Sequence, residues 1–541
     1  MNAQDVQNIG KQEPFKISGS IGVRGTYFAA EGRASNRVPF GGSIYGNPTI
    51  SIYGIDIPFS FIYSEQQRDF RQPFNQFGLS PKYKWITAHL GHRNIKWSDY
   101  SLAGHNAFGA GLELTPGNFR ISFMKGRFLK PIEVSSDPGG SYQTPSFKRV
   151  GSALKLGYGT QKNSFDIVVF RAKDRINSIE NTNLPATLTP SENLVTSIIT
   201  HHLFFEKLFF DAEYARSIFT PNTANPDTHL LNDTFSNFFS FLINEKFGTR
   251  IGDAIKATLG FKEKTFDIKL KYNRIDPLFK SLGAYFFLTD IEKITITPRV
   301  KIAKNKLVVG GSFGVQKDNL SKTKNAHTKR NIYALNINFS PTQKYNLNVN
   351  YSNYGITQKP GTKPINNQVE IAQINQQLTM IQNVNLINKN KTNMHMIMLL
   401  WNYQRLADDN SMTAQFSEFK SNIISPRYTF SHLTKQFTMG IGYNYNIFSF
   451  STRATKNYGP SVTISKAFKK LNLTAAFNYY DIENNGVIDK TAFTVSFTAK
   501  YKVEKKHQFT FRAHINNGNV TGINPLNYSE TKIDFGYAYT F

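Results

Sequence analysis

Gly310-Gly311-Ser312-Phe313-Gly314 matches the G-x-S-x-G pattern of hydrolases, in which a sharp strand-to-helix turn thrusts the serine into the open. Here the motif lies inside the alternating run LVVGGSFGV with no helical pattern after it, so glycines easing the bend of a strand explain it better. Asp481-Ile482-Glu483-Asn484-Asn485-Gly486 resembles the opening of a calcium loop, with oxygen ligands at alternating positions and glycine at the sixth. The position for the bidentate acid is Ala492, and an Asn-Gly hairpin between strands fits the stretch better. His201-His202, His395, His507 and His514 share no metal-ligand spacing, and adjacent strand residues point to opposite faces. No metal, cofactor or catalytic residue is therefore expected.

What remains is a set of cations at strand spacing. Asp267, Lys269, Lys271 and Asn273 alternate with Ile268, Leu270 and Tyr272. Lys500 and Lys502 alternate with Ala499, Tyr501 and Val503, and Thr510, Arg512 and His514 with Phe509, Phe511 and Ala513. Period-two alternation puts the two classes on opposite faces of a strand. If the apolar face meets lipid, a Lys or Arg beside it at the midplane would cost roughly 2–4 kcal/mol, which fixes the phase. The cations then face water in a lumen, where rings of Lys and Arg favour anions. The other reading is that they are solvated wall residues paired with Asp and Glu on neighbouring strands.

The elements that position them are hairpins. In NIYALNINFSPTQKYNLNVNYSNYG (331–355), Tyr333, Leu335, Ile337 and Phe339 share one face, and so do Tyr345, Leu347, Val349 and Tyr351 after a polar break. The same design recurs around KEKT (262–265), Lys304-Asn305-Lys306, Lys469-Lys470 and EKKH (504–507), each short turn being followed later by a longer polar segment such as 131–148, 175–192 or 220–248. Alternation of short turns and long loops is the pattern of an up-and-down transmembrane barrel, with short periplasmic turns and long extracellular loops. The count is about 24 strands, range 22–26, from 14 to 541. Residues 1–13 read as a periplasmic segment after removal of a signal peptide, of which Asn2-Ala3-Gln4 would be the tail. Residues 65–80 read as a periplasmic or plug segment. Residues 356–391 fit two forms, since Ile371, Ile374, Leu378 and Ile381 have helical spacing while Leu378-Met380 and Val384-Leu386 suit a strand.

Composition agrees. The 541 residues include 46 Phe and 26 Tyr, yet mean hydropathy is −0.38, as when apolar residues are confined to one face of a sheet. The longest apolar run, Met394–Trp401, is far short of the 18 or so residues of a membrane helix. There is no cysteine. Lys and Arg (64) outnumber Asp and Glu (37) to give a net charge of +27, but they are dispersed, with no nucleic-acid-binding motif beside them, so no nucleic-acid partner is expected.

The last strand, ETKIDFGYAYTF, places Ile533, Phe535, Tyr537, Tyr539 and Phe541 on one face. It resembles the C-terminal signal of bacterial outer-membrane proteins, which implies recognition by the barrel-assembly machinery. The aromatic, Asn-rich style of the chain and the block GNPTISIYGIDIPFSFIYSEQQRDFRQPFNQFGLSPKYKWITAHLG (46–91) resemble large outer-membrane barrels of Bacteroidota-type bacteria. The resemblance implies a multi-pass barrel in the outer membrane, in contact with lipid and lipopolysaccharide. Three functions compete: porin-like passage of hydrophilic, including anionic, solutes; a barrel subunit of a larger secretion, gliding or surface-export machine, with protein partners occupying or capping the lumen; and a surface enzyme built on barrel loops. The first is the expectation, and the protein is read as not an enzyme.

Overall fold

The computed structural model describes the chain except residues 1–12, 34–36, 66–75, 135–144, 181–183, 229–230, 232, 285–287, 325, 361–371, 388–391, 409–413, 451–452 and 522–524. Alternation, not apolar run length, decides the architecture. On Phe266–Ile275, the even residues Phe266, Ile268 and Leu270 are exposed on one face while Lys269 and Lys271 occupy the other. Repeated along the chain, this pattern yields 29 extended segments in one antiparallel sheet. Three wall strands are each broken once by a kink: Phe15–Ser18 with Ser20–Glu31, Phe40–Gly46 with Thr49–Ile52, and Gln76–Leu79 with Lys82–Tyr83. The wall therefore has 26 strands, and the fold is an all-β, closed, up-and-down barrel.

Closure is explicit. The final strand, Leu526–Thr540, pairs with His507–Val520 on one side and Ser20–Glu31 on the other, with Tyr27 opposite Ile533 and Val23 opposite Tyr537. Phe541 adds its backbone N–H to the Gly19 carbonyl at 3.0 Å. Closing the sheet leaves no edge strand with unpaired backbone groups.

The two strands beyond the expected 24 lie between residues 40 and 94. Residues 47–64, read as one strand, are a hairpin turning at Tyr53 (φ 44°) and Gly54 (φ 78°), with Ile52 opposite Ile55. Residues 76–80, read as the end of a periplasmic or plug segment, enter the wall, Leu79 pairing with Phe59 and Leu90. Residues 372–387 form a strand, Leu378 standing between Tyr351 and Tyr403; cross-strand pairing overrides the helical spacing, and Ile371 lies outside the described residues. Near the C-terminus the wall runs to Val520 and resumes at Leu526.

The turns at 53–54, 205–207, 263–265, 303–306, 433–436 and 504–506 all fall at one end of the barrel. The other end has long connections in the first half of the chain, such as 221–249, but shrinks in the last part to Asn485-Gly486. Strands grow as loops shrink: Asn163–Arg175 has 13 residues and Ala326–Thr342 has 17. At ~3.4 Å per residue the second is about 14 Å longer. Among the described residues the only helices are the short Thr234–Phe238 and Ala414–Ser417 and a 3₁₀ turn at Ile176–Ser178. No helix among them is long and apolar enough to cross a membrane.

Hydrophobic cores sit on both sides of this wall. Inside, residues 95–105 and 276–284 fold onto the lumen face. Trp97 and Leu102 meet Met124, Phe128 and Phe170, while Tyr100 and Phe279 meet Val195, Ala215 and Ala254. Outside, the 221–249 connection folds down over the outer face, where Leu231, Phe235, Phe239 and Ile243 cover Leu194 and Ile218. Burying each Leu or Phe contributes ~1.5–3 kcal/mol relative to exposure, so these segments are seated on the wall.

Candidate functional site: the lumen wall

The inward segments are anchored by a buried carboxylate. Glu213 and Lys256 are opposite each other on adjacent strands and both face the lumen. Glu213 accepts hydrogen bonds from the Ser98 hydroxyl and from the backbone N–H groups of Asp99 (3.3 Å) and Tyr100 (3.2 Å). Lys256 bridges Glu213 and Asp99. Tyr100 donates its hydroxyl to Asn273 Oδ1 at 2.6 Å. The second segment is tied at Asn193, whose amide nitrogen donates to the Lys280 carbonyl (3.1 Å) and whose amide oxygen accepts from the Leu282 N–H (2.9 Å). The two segments join through the Ala103–Ala284 bridge. Gly252 lets the second segment lie flat, because a Cβ there would meet the Phe279 nitrogen at 2.3 Å.

The electrostatics of these segments follow from burial. Burial would raise the Asp99 carboxyl, but hydrogen bonds and charge from Lys256 and Lys96 outweigh it and hold Asp99 below its usual range. Burial, aided by Glu213 and Asp99, pushes the Tyr100 phenol up. Burial, then the Arg149 charge, brings His105 down to about 3. Burial, then Arg149 and Arg250, lowers Lys280.

Beside the segments lies an open cavity of about 770 Å³, with Lys96, Asp99, Lys256, Lys271, Asn273 and Lys293 among its lining residues. Many lumen cations elsewhere on the wall are paired: Arg120 and Lys155 with Asp166, Arg149 with Asp174, and, at the seam, Arg24 with Asp534. Among the described residues, no ion pair involves Lys269, Lys271 or Lys293. Lys269 instead places its ammonium 5.8 Å from the Phe209 ring centre. The later half of the lumen is lined differently, by an amide ladder in which Asn336 donates to Asn350 (2.7 Å), Asn350 to Asn348 (2.6 Å) and Asn402 to Thr379 (2.7 Å).

No family model matches the chain, and no curated protein matches it. Solved structures do. One is OccAB3 of Acinetobacter baumannii, at 13% identity and TM-score 0.31 over 73% of this chain and 99% of that one. Another is BauA, the ferric preacinetobactin receptor of the same organism, at 11% identity and TM-score 0.37 over 97% and 81%. A third is the PapC-PapD-PapK-PapG pilus tip assembly intermediate of E. coli, at 10% identity and TM-score 0.46 over 94% and 62%.

Of the cations singled out from sequence, Lys269 and Lys271 share the lumen face with Asn273, and Lys271 and Asn273 border the cavity. Lys500, Lys502, Arg512 and His514 share one face on the strands next to the seam, with Lys500 opposite Thr510, Arg512 opposite Asp534 and His514 opposite Lys532. Ten wall strands separate the two groups along the shorter numbered route, so they form two arcs, not one ring. Lys256 and Lys293 were not singled out, although each alternates with apolar neighbours in IGDAIKATLGF and IEKITIT. The partners Asp99, Tyr100 and Glu213 have no such signal, since only the folded barrel brings residue 99 to residue 213.

The other motifs resolve simply. Ser312 borders the cavity from within the strand Leu307–Asp318, with no helix after it. Asn485 (φ 48°) and Gly486 (φ 91°) are the two residues of a hairpin turn. His202 shares a hydrogen bond with Thr200 (2.7 Å), His395 with Tyr428 (2.6 Å) and His507 with Tyr537 (2.8 Å). Among the described residues, no three His, Cys, Asp or Glu side chains are placed to hold a metal.

Proposed function

We propose that the protein is an outer-membrane barrel that passes hydrophilic solutes, with a preference for anions. The membrane part of this reading is supported by the wall: a closed barrel satisfies its backbone in hydrocarbon, and the outer face exposes Ile121, Phe123, Leu154, Leu156, Ile167, Ile268 and Leu270. Trp85, Phe119, Tyr158, Phe204, Phe266 and Tyr501 are exposed near the short-turn end, as an interfacial aromatic girdle would be. In this orientation the short turns are periplasmic.

The observation that carries the solute preference is the group Lys269, Lys271 and Lys293, lumen cations without a carboxylate partner among the described residues, two of which line the cavity. Such a lining attracts anions. Among the described residues the inward segments narrow one side of the lumen, and the amide-lined side would be the route. The test is the reversal potential of the reconstituted barrel in a potassium chloride gradient. Anion selectivity that weakens as salt rises is expected; cation selectivity would overturn the preference.

A second reading, that the barrel houses a protein partner in an envelope machine, is favoured by one feature. On Asn393–Asp408, Ile397 is exposed on the outer face, which turns Met394, Met396, Met398 and Leu400 toward the lumen. Leu400 lies between Ile381 and Ser425 in the register. An apolar strip on a watery wall suits a polypeptide surface better than a small ion. A stoichiometric partner co-purifying in mild detergent, with no conductance by the isolated barrel, would replace the channel reading with this one.

A further inference from the structure

We infer that the outer wall at the strand tops of residues 119–175 is a binding site for the phosphorylated headgroup of an outer-leaflet glycolipid. The inference rests on the outer-membrane reading above and adds a specific lipid site to it.

Three consecutive strands change character at one height. Phe119–Leu129 presents Phe119, Ile121 and Phe123 outward, then Lys125 and Arg127. Lys148–Gly159 presents Tyr158, Leu156 and Leu154, then Ser152, Val150 and Lys148. Asn163–Arg175 presents Phe165, Ile167 and Val169, then Arg171, Lys173 and Arg175. The register aligns these changes: Phe123 lies opposite Leu154 and Leu154 opposite Val169, while Lys125 lies opposite Ser152 and Ser152 opposite Arg171. An apolar band thus gives way to cations along a level line, toward the end with the long connections.

Six cations face outward above that line. Neighbouring strands are ~4.8 Å apart and like-facing residues along a strand ~6.8 Å apart, a spacing that lets several side chains converge on one phosphate. Among the described outward positions of these strands and their two neighbours, the one carboxylate is Glu192. It is fully buried and occupied by Arg171 (2.6 Å) and Lys173 (3.5 Å). Arg127 stacks over Phe108, 5.2 Å from the ring centre. Among the described residues, no ion pair involves Lys125, Lys148 or Arg175. Cations that face outward beside lipid, without carboxylates to neutralise them, call for anions supplied by the membrane. A lipid bearing phosphates at the headgroup level and acyl chains against Phe123, Leu154 and Ile167 satisfies both halves of the surface.

The detergent-solubilised full-length barrel should be titrated with a bis-phosphorylated lipid A, with the same lipid stripped of phosphate, and with inorganic phosphate, read by native mass spectrometry. The phosphorylated lipid should bind about tenfold tighter than the stripped one, and the combined Lys125→Gln, Arg127→Gln, Lys148→Gln and Arg175→Gln variant should lose at least that factor. Arg171 and Lys173 are left in place because Glu192 needs them. If the combined variant does not fold, Lys125→Gln and Arg175→Gln singly should each weaken binding severalfold. Neutralising Lys269, Lys271 and Lys293 in the lumen should leave lipid binding unchanged. Equal binding of stripped lipid, equal binding by the folded variants, or displacement of the lipid by inorganic phosphate at matched concentration would each overturn the lipid site. Cell fractionation separates the two levels: a protein absent from the outer membrane overturns both readings, whereas one present there with unaltered lipid binding in the variants overturns this inference alone.

Discussion

Glu213, 2% exposed, faces Lys256 across a strand boundary at 2.9 Å, and the same ammonium reaches Asp99 on a segment more than a hundred residues earlier. One lysine therefore joins the barrel wall to the polypeptide inside it. Removing it leaves a buried carboxylate surrounded by donors but without its countercharge.

Lys256→Met should release the 95–105 segment from the wall. Breaking a buried pair by removing one partner costs ~3–5 kcal/mol, and here that cost falls on the docked segment. Hydrogen–deuterium exchange across residues 96–104 should rise while the wall strands stay protected. Adding Glu213→Gln should restore much of the protection, because the uncompensated charge is gone. Unchanged exchange in the single variant would show that apolar packing of Trp97 and Leu102 alone holds the segment.

Acid should loosen the same segment through His105. Its ordinary value is 6.5 and burial lowers it to about 3, so between those limits the released segment binds a proton that the docked one does not. Docking is then fully stable above about pH 6.5 and loses up to about 1.4 kcal/mol per pH unit as pH falls toward 3. With the intrinsic pH dependence of amide exchange divided out, protection of residues 96–104 should be lower at pH 5 than at pH 7.5, and His105→Leu should remove that difference. Asp99, held low by its lysines, contributes stability that is lost only at more acid pH. Protection that is the same at both pH values in the wild type would contradict this account.

Charge reversal should act locally. Lys269→Glu, Lys271→Glu and Lys293→Glu together should move the reversal potential toward cation selectivity, because they flank the narrowed side of the lumen. Lys500→Glu with Lys502→Glu, on the far arc, should shift it less. Equal shifts from both sets would mean that the lumen is wide enough to respond only to total charge.

The strands were legible because a half-wet sheet writes its two faces into alternate residues, as Phe266–Ile275 and the closing strand show. The hairpin within 47–64 was not, because its turn, Ile52-Tyr53-Gly54-Ile55, has no polar break and one of the two residues that bend it is a tyrosine. The inward segments were hidden for a different reason: NIKWSDYSLAGH and DPLFKSLGAY look like loops, and what buries them is a wall distant in sequence. Trp97, Leu102, Phe279 and Leu282 were the available clue, since large apolar side chains in a connecting segment need cover. The lumen cations followed from phase alone, whereas their pairing or freedom depends on neighbouring strands.

The last strand should be indispensable for insertion. Deleting 526–541 removes both partners' pairing at the seam, and Phe541→Ala removes the ring that sits 5.0 Å from Tyr539. Outer-membrane yield, measured by fractionation and heat-dependent gel mobility, should drop sharply for the deletion and partly for the point variant. Normal yield of the deletion would mean that closure does not need this strand.

The seam also orders events in time. Thr26 and Asp534, hydrogen-bonded at 2.7 Å, are 508 positions apart, and bringing distant residues together exacts a chain entropy that nearby pairings avoid. Each hairpin and each neighbouring pair can form while the sheet is still open, and so can the seats of the 95–105 and 276–284 segments, which rest on strands between residues 106 and 302. A ring that shuts last closes around contents already seated, with nothing to thread into a finished cylinder.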